Sequence, residues 1–189
     1  MKIDYTIENE KIKIQNFDRI NNQNEFVKLY DNSLPDISFL HIKGNIRNKT
    51  KSVFYAVNGK GIILSIQLIP QNSRFEFESF NNISVNFTPV VESVQLMMTD
   101  IPFRHYYDNP ALLNRLDIYI AAEKIGDLIP KKLLMQLGEH RILNLSSTAE
   151  NRKFSSISDS LNKLIKELEK PNNRSLSTYF EKFVQSVTL

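Results

Sequence analysis

The chain of 189 residues contains no cysteine and no tryptophan, and it has only five glycines and three histidines. The absence of cysteine excludes disulfide frameworks, thiolate zinc sites and cysteine nucleophiles. No two histidines have the i, i+4 spacing of a helical metal site, so we expect no metal and no cofactor. With 41% hydrophobic and 24% charged residues, the composition is typical of a globular domain rather than a disordered chain.

The sequence also lacks a long apolar run. The longest candidate, residues 62–69, is interrupted by Ser65 and Gln67, and it is far shorter than the roughly 20 residues that a transmembrane helix needs. The start of the chain alternates polar and apolar residues, unlike the continuous apolar segment of a signal peptide. We therefore expect no transmembrane segment and a cytoplasmic location, which for a viral protein means the host cytoplasm or the virion interior.

Enzyme motifs are missing as well. The chain has no Gly-x-Ser-x-Gly nucleophile turn and no glycine-rich phosphate loop. The richest group of functional side chains surrounds His105, which stands between Asp100 and Asp108, and a carboxylate beside a histidine fixes its tautomer and raises its basicity. The alternative, which we favour, is an ordinary connection between a sheet and a helix. We therefore expect a protein that is not an enzyme and has no catalytic residues, and we expect His41 to be a packed or edge strand histidine rather than a ligand.

The first half of the chain alternates apolar and polar residues with the period of two that is typical of strands. About seven or eight strands are predicted before residue 100, and their short connections favour antiparallel pairing. The predicted strands cover residues 2–7, 11–17, 37–43, 53–57, 62–69, 74–80, 83–87 and 90–98. Asn22 and Glu25 resemble a capping box, which predicts a short helix over the following residues, with a strand as the alternative.

The second half changes to helical periodicity. Asn109 and Pro110 resemble a helix start, although residues 112–120 also alternate as a strand would. A compact helix from Pro130 to Leu137 is predicted to end at Gly138, followed by a strand over 141–145. After a serine-rich loop over 146–156, two amphipathic helices separated by a four-residue loop predict a helical hairpin.

The predicted fold class is therefore α+β, with an antiparallel sheet-rich body over residues 1–145 and a serine-rich loop plus a helix pair over 146–189. The helix pair either covers one face of the sheet or is exchanged with a neighbouring subunit, with the serine-rich loop as the hinge. Because of the second alternative we expect a homo-oligomer. The residues expected to mediate the interaction are Leu176, Tyr179, Phe180 and Phe183.

Charge is unevenly distributed along the chain. The net charge is only +3, but residues 37–75 contain no Asp or Glu. If residues 37–43 pair with 53–57, the cations of this span form a stripe along a sheet edge, which suits nucleic acid or an anionic membrane surface. The alternative is a solvated loop that serves solubility. The predicted polyanion-binding residues are Lys43, Arg47, Lys49, Lys51, Lys60 and Arg74.

Three functional hypotheses follow. The first is a self-associating structural or accessory protein whose basic edge binds RNA, DNA or an anionic surface. The chain contains 20 asparagines and 21 isoleucines, residues with AT-rich codons, which suggests an AT-rich genome that is bacterial, phage, viral or protist. A cysteine-free, strand-dense chain with this bias fits a viral or phage protein. The second hypothesis is an interaction module that uses strand edges or the terminal helices to bind a partner protein. The third is an enzyme that uses His105 as a general base.

Overall fold

The computed structural model describes residues 3–8, 11–17, 26–30, 34–46, 52–56, 60–69, 73–77, 84–87, 93–100, 103–107, 111–145, 151–170 and 172–188. Twelve strands and four helices lie in these segments. The strands are β1 (Ile3–Glu8), β2 (Lys11–Phe17), β3 (Phe26–Tyr30), β4 (Ile37–Ile46), β5 (Ser52–Ala56), β6 (Gly61–Gln67), β7 (Ser73–Phe77), β8 (Ser84–Phe87), β9 (Ser93–Met98), β10 (Phe103–Tyr107), β11 (Ala111–Ala121) and β12 (Ile142–Asn144). The helices are α1 (Ala122–Leu128), α2 (Lys131–His140), α3 (Asn151–Leu168) and α4 (Leu176–Thr188).

The strands form two six-stranded sheets. The first has the order β2-β1-β5-β10-β7-β8, and the second has the order β12-β9-β6-β11-β4-β3. Neighbouring strands are antiparallel except for β1 and β5, which are parallel. The predicted α+β class with antiparallel sheets is therefore confirmed, and nine strands rather than seven or eight begin before residue 100.

The two faces of the second sheet differ in chemistry. Alternate residues of β4, β6, β9 and β11 make one face almost wholly apolar, and this face belongs to the main hydrophobic core with the helices. The opposite face lies towards the first sheet, since the backbone N–H of Ile12 on β2 donates to Ser38 Oγ on β4 at 3.4 Å. Both faces are buried, which explains why the central strands are rich in isoleucine and leucine.

Helices α3 and α4 form the predicted C-terminal hairpin and pack on the apolar face of the second sheet. Their inward residues are the apolar positions that recur at helical spacing, and Leu161, Leu164 and Phe183 among them are buried. The rings of Phe39 on β4 and Phe180 on α4 meet edge to face with their centroids 5.7 Å apart. The hairpin and the sheet therefore share one hydrophobic core.

Four local predictions are wrong. The predicted short helix is replaced by strand β3, because pairing with β4 buries Tyr30 against the core. The segment after Pro110 is a strand, since β11 fills the gap between β4 and β6 and buries both of its faces. Helix α2 continues past Gly138 and ends at His140, where Arg141 caps it with a left-handed φ of 64°. Helix α3 begins at Asn151, inside the predicted serine-rich loop.

Helices within the described segments are all too short or too polar to span a lipid bilayer.

Candidate functional site

A half-open cleft lies between the end of the second sheet and helices α1 and α2. We name it the α1–α2 cleft. Its volume is about 410 Å³, within the roughly 300–1,000 Å³ that is typical of ligand pockets. It is lined by Lys60, Gly61, Ile62, Met98, Asp100, Ala122, Ile125, Leu134 and Leu137.

Neighbouring strands and the two helices each supply one side of this cleft. Ile62 on β6 and Met98 on β9 stand directly opposite each other in the ladder, so their side chains share one face of the sheet. Ile125 of α1 and Leu134 of α2 face them from the helical side. The inner walls of the cleft are therefore apolar, and an apolar group that enters it leaves water on the surfaces that face these walls.

Gly61 and Thr99 fix the sheet at the cleft. The hydroxyl of Thr99 donates to the carbonyl of Gly61 at 2.7 Å and accepts the N–H of Gly61 at 3.0 Å. A Cβ atom on residue 61 would lie 2.5 Å from Tyr119 Cε2 and 2.6 Å from the backbone oxygen of Ile120. Only glycine permits so close an approach of β6 to β11, and the mutual hydrogen bonds hold the end of β9 beside it.

The exposed lining residues give the cleft its charge. The carboxylate of Asp100 accepts from Arg141 Nη1, and the same nitrogen lies 3.5 Å from Met98 Sδ. Lys60 is exposed and makes no ion pair with any residue in the described part of the chain. Since Arg141 compensates Asp100, Lys60 is left as an unbalanced positive charge beside an apolar cavity.

A second polar feature lies on the opposite face of the same sheet. Five polar side chains there are at most 1% exposed, namely Ser65, Gln67, Gln95, Arg115 and Asp117. Asp117, Ser65 and Gln95 stand opposite one another across β11, β6 and β9, and Arg115 stands opposite Gln67. We name this group the buried polar row.

An ion pair lies within the buried polar row. Arg115 Nη2 donates to Asp117 Oδ2 at 2.8 Å, and both side chains are fully enclosed. Removing two charges from water costs several kcal/mol for each ion, which only good geometry and further hydrogen bonds offset. Because the row is closed to solvent, the α1–α2 cleft is the better candidate for binding a molecule from solution.

The described residues contain no group of three or more His, Cys, Asp or Glu side chains that could hold a metal ion. His41 is the packed one of the two alternatives that the sequence left open, and its Nε2 donates to Asn114 Oδ1 at 2.8 Å. Burial is the largest cause of the lowered pKa of His41. The bond to Asn114 and the charge of Glu169 oppose it, while the charges of Lys43 and Lys28 lower the pKa further. His105 lies on β10 of the first sheet, opposite Val53 and Phe75.

The structure does not bring the described members of the predicted basic stripe together. The assumed pairing of residues 37–43 with 53–57 is wrong, because β4 and β5 belong to different sheets. Lys43 is half-buried near one end of the second sheet, Lys60 is at the other end beside the cleft, and Arg74 is on β7 of the first sheet. Arg47, Lys49 and Lys51 lie outside the described residues, so polyanion binding stays a prediction.

The four residues predicted to mediate self-association are packed inside their own chain. Leu176, Phe180 and Phe183 are at most 1% exposed, and Tyr179 is partly buried against the same core. A role in association would require the helices to be exchanged between copies, and it stays a prediction.

Sequence reasoning missed both the cleft and the buried polar row. Ser65 and Gln67 were visible only as interruptions of an apolar run, yet two polar residues inside so apolar a strand are the signal of a buried polar group. Arg115 and Asp117 alternate with Leu116 and Ile118, but this pattern points to the sheet interior only once the segment is known to be a strand. The cleft has no local signal, because its walls come from four separate elements.

No protein-family model matches the chain, and no curated protein matches it. Solved structures resemble it at low identity. The ToxT protein of Vibrio cholerae is 14% identical over 79% of this chain and 56% of that chain, with a TM-score of 0.44. An RmlC-like cupin protein from Desulfovibrio desulfuricans is 11% identical over 56% and 89%, with a TM-score of 0.38. Hydroxypropylphosphonic acid epoxidase from S. wedmorenis is 9% identical over 53% and 52%, with a TM-score of 0.38. The chain thus spans about half the length of ToxT and of the epoxidase.

These comparisons correct one expectation from the sequence. The absence of familiar catalytic motifs led us to expect a protein that is not an enzyme, but the similar structures include the epoxidase, which is an enzyme, and a cupin protein. Motif searches detect only chemistries that depend on a short, contiguous signature. An active site assembled from separate strands of a sheet leaves no such signature, so the expectation is withdrawn.

Proposed function

We propose that this protein binds a small amphipathic molecule, with an apolar body and one anionic group, in the α1–α2 cleft. The observation that carries the proposal is the position of Lys60, an exposed cation without a described ion-pair partner. It stands beside a half-open cavity whose walls, apart from Lys60 and Asp100, are apolar. The neighbouring carboxylate, Asp100, is already compensated by Arg141.

The apolar body supplies most of the affinity. Each methylene group that leaves water contributes about 0.8 kcal/mol, so burial of five or six of them gives about 4–5 kcal/mol before the cost of association. An ion pair with an exposed lysine contributes up to about 1 kcal/mol. Lys60 therefore acts on selectivity rather than on total affinity, and it favours a carboxylate over a neutral group of the same length.

Calorimetric titration with octanoate and with octanamide tests the proposal, since the two probes share a chain and differ in charge. We expect octanoate to bind about fivefold more tightly, because about 1 kcal/mol corresponds to that factor. Lys60→Met should remove the difference between the probes. Lys132→Met, which removes an exposed lysine outside the cleft, should preserve it.

Ala122→Trp tests the location. Ala122 is an exposed lining residue, so an indole at this position occupies the cleft without disturbing the core. We expect it to weaken both probes at least tenfold while the thermal unfolding transition is retained. Octanoate binding that is unchanged by Ala122→Trp would place any ligand elsewhere and refute the proposal.

We further propose, from the sequence, that the protein self-associates and binds polyanions through its acid-free span. Its support is the run of six cations without a carboxylate between residues 37 and 75. Lys49→Glu combined with Lys51→Glu should reduce retention on immobilised heparin, and retention should fall steeply with salt. Equal retention of the variant and the parent chain would argue against this second function.

A further inference from the structure

A second concave surface lies on the other side of α1. It is a groove of about 240 Å³ between the β3–β4 connection, α1 and the start of α4, and we name it the α1–α4 groove. It is lined by Leu34, Pro35, Asp36, Ile37, Lys124, Asp127, Leu128, Ser177, Phe180 and Glu181. Its accessible apolar floor is supplied by Leu34, Pro35 and Leu128, which lie over the buried side chains of Ile37 and Phe180.

Hydrogen bonds hold the backbone around the α1–α4 groove in place. Lys11 Nζ donates to the carbonyl oxygens of Leu34 at 2.9 Å, Pro35 at 3.3 Å and Ile37 at 3.2 Å, which ties the connection before β4 to β2. The carbonyl of Asp36 accepts the N–H of Ala121 at 2.9 Å, immediately before α1. The groove is therefore formed before any partner arrives, so binding costs little ordering of the protein.

The rim of the groove is negative. Asp36, Asp127 and Glu181 come from three different elements, and Lys124 is the one cation among the lining residues. Within the described chain, neither Asp36 nor Asp127 forms an ion pair. The carboxylate of Glu181 only accepts a hydrogen bond from Ser177 Oγ at 2.9 Å. Three carboxylates and one ammonium leave the rim with a formal charge of −2 around an apolar floor.

We propose that the α1–α4 groove docks a short peptide segment of a partner protein, in which one large apolar side chain is flanked by basic residues. The groove is smaller than the roughly 300 Å³ at which ligand pockets begin, so it has room for one side chain rather than a whole small molecule. Carboxylates on three sides of the floor match cations on both sides of the inserted side chain. Unlike the α1–α2 cleft, which attracts an anion, this groove attracts a cation, so the two proposals are independent.

Fluorescence anisotropy with a labelled, capped peptide of sequence Lys-Arg-Phe-Arg-Lys tests the proposal. The double variant Asp127→Lys with Glu181→Lys changes two exposed helix positions, so its fold should survive. We expect it to weaken binding at least tenfold. Glu139→Lys, the same change at an exposed position of α2 outside the groove, should leave the affinity within twofold. Lys124→Glu should strengthen binding about threefold, an effect that no loss of folding produces.

A second peptide tests whether the apolar floor of the groove contributes to binding. The same peptide with serine in place of phenylalanine should bind at least fivefold more weakly, because it has nothing to insert. Equal binding of the two peptides would reduce the interaction to unspecific charge attraction and overturn the proposal. Octylamine that displaces the phenylalanine peptide at comparable concentration would also overturn it, in favour of a small cationic ligand. An unchanged affinity in the folded double variant would exclude the groove.

Discussion

Asp117→Leu is expected to be among the most damaging single substitutions in this protein. It removes the carboxylate that pairs with Arg115 at 2.8 Å and leaves the guanidinium fully enclosed. Breaking a buried ion pair by removing one partner costs about 3–5 kcal/mol, since the remaining charge loses that partner in a place where water cannot replace it. The whole free energy of unfolding of a domain is about 5–15 kcal/mol, so this one change removes a large share of it.

The double variant Arg115→Met with Asp117→Leu separates the cost of losing the ion pair from the loss of packing. It removes both charges and keeps apolar side chains of similar reach in their place. We expect it to be at least about 2 kcal/mol more stable than Asp117→Leu alone, because replacing a buried pair by hydrophobic residues is often neutral or stabilising. Part of the loss remains, since Gln67 and Ser65 stand opposite the two positions and lose polar neighbours.

Urea unfolding followed by circular dichroism measures these differences, since the chain has no tryptophan to serve as a fluorescent probe. Asp159→Leu, at an exposed position of α3, is the matched control and should change the unfolding free energy by no more than about 0.5 kcal/mol. The reasoning fails if Asp117→Leu costs less than about 1 kcal/mol. It also fails if the double variant is as unstable as the two single variants added together.

Two further predictions concern stability. Gly61→Ala should lower the unfolding free energy by about 1–3 kcal/mol, because its Cβ would meet a backbone oxygen at 2.6 Å. By contrast, a Cβ on residue 138 in helix α2 would have no atom within 4 Å, so Gly138→Ala should raise the unfolding free energy by up to about 1 kcal/mol. Thermal unfolding of both glycine variants measures these changes, and equal effects would contradict the argument. The hydrogen bond from Lys170 Nζ at 2.5 Å, helped by the N–H of Ser175 at 3.3 Å, lowers the pKa of Glu167. A carboxyl with a lowered folded pKa stabilises the fold above its unfolded pKa and loses that contribution as the pH falls through its folded pKa. Glu167→Gln should therefore flatten the acid side of a stability-against-pH curve, and an unchanged curve would assign the acid sensitivity to other groups.

The sequence predicted most of the strands and the terminal hairpin, because their periodicities are local. Alternation such as that of Ile62, Leu64 and Ile66 requires no knowledge of the partner strands. Prediction from the sequence failed at β3 and β11, because a capping-box pattern and an Asn-Pro pair there resemble helix starts. At both places, pairing with neighbouring strands of the sheet decides the structure. Pairing across the sheets was also misjudged, since β4 and β5 are close in sequence but belong to different sheets.

The candidate site was less predictable than the fold. Lys60 was singled out for its charge, but its place beside an apolar cavity depends on α1 and α2, which follow it by more than 60 residues. Arg115 and Asp117 could not be assigned to the interior while their segment also matched a helix. Chemistry that arises from the meeting of distant elements leaves no pattern that a local reading of the chain can detect.

The central position of β11 has a consequence for how this protein is made. Residues 111–121 lie between β4 and β6, so the middle of the second sheet stays open until residue 121 has left the ribosome. Until then, two isoleucine-rich segments emerge without the strand that separates them, and partnerless strand edges invite aggregation. Contacts this distant in sequence also slow folding. Synthesis of this protein in quantity should therefore depend on chaperones that hold the nascent first half.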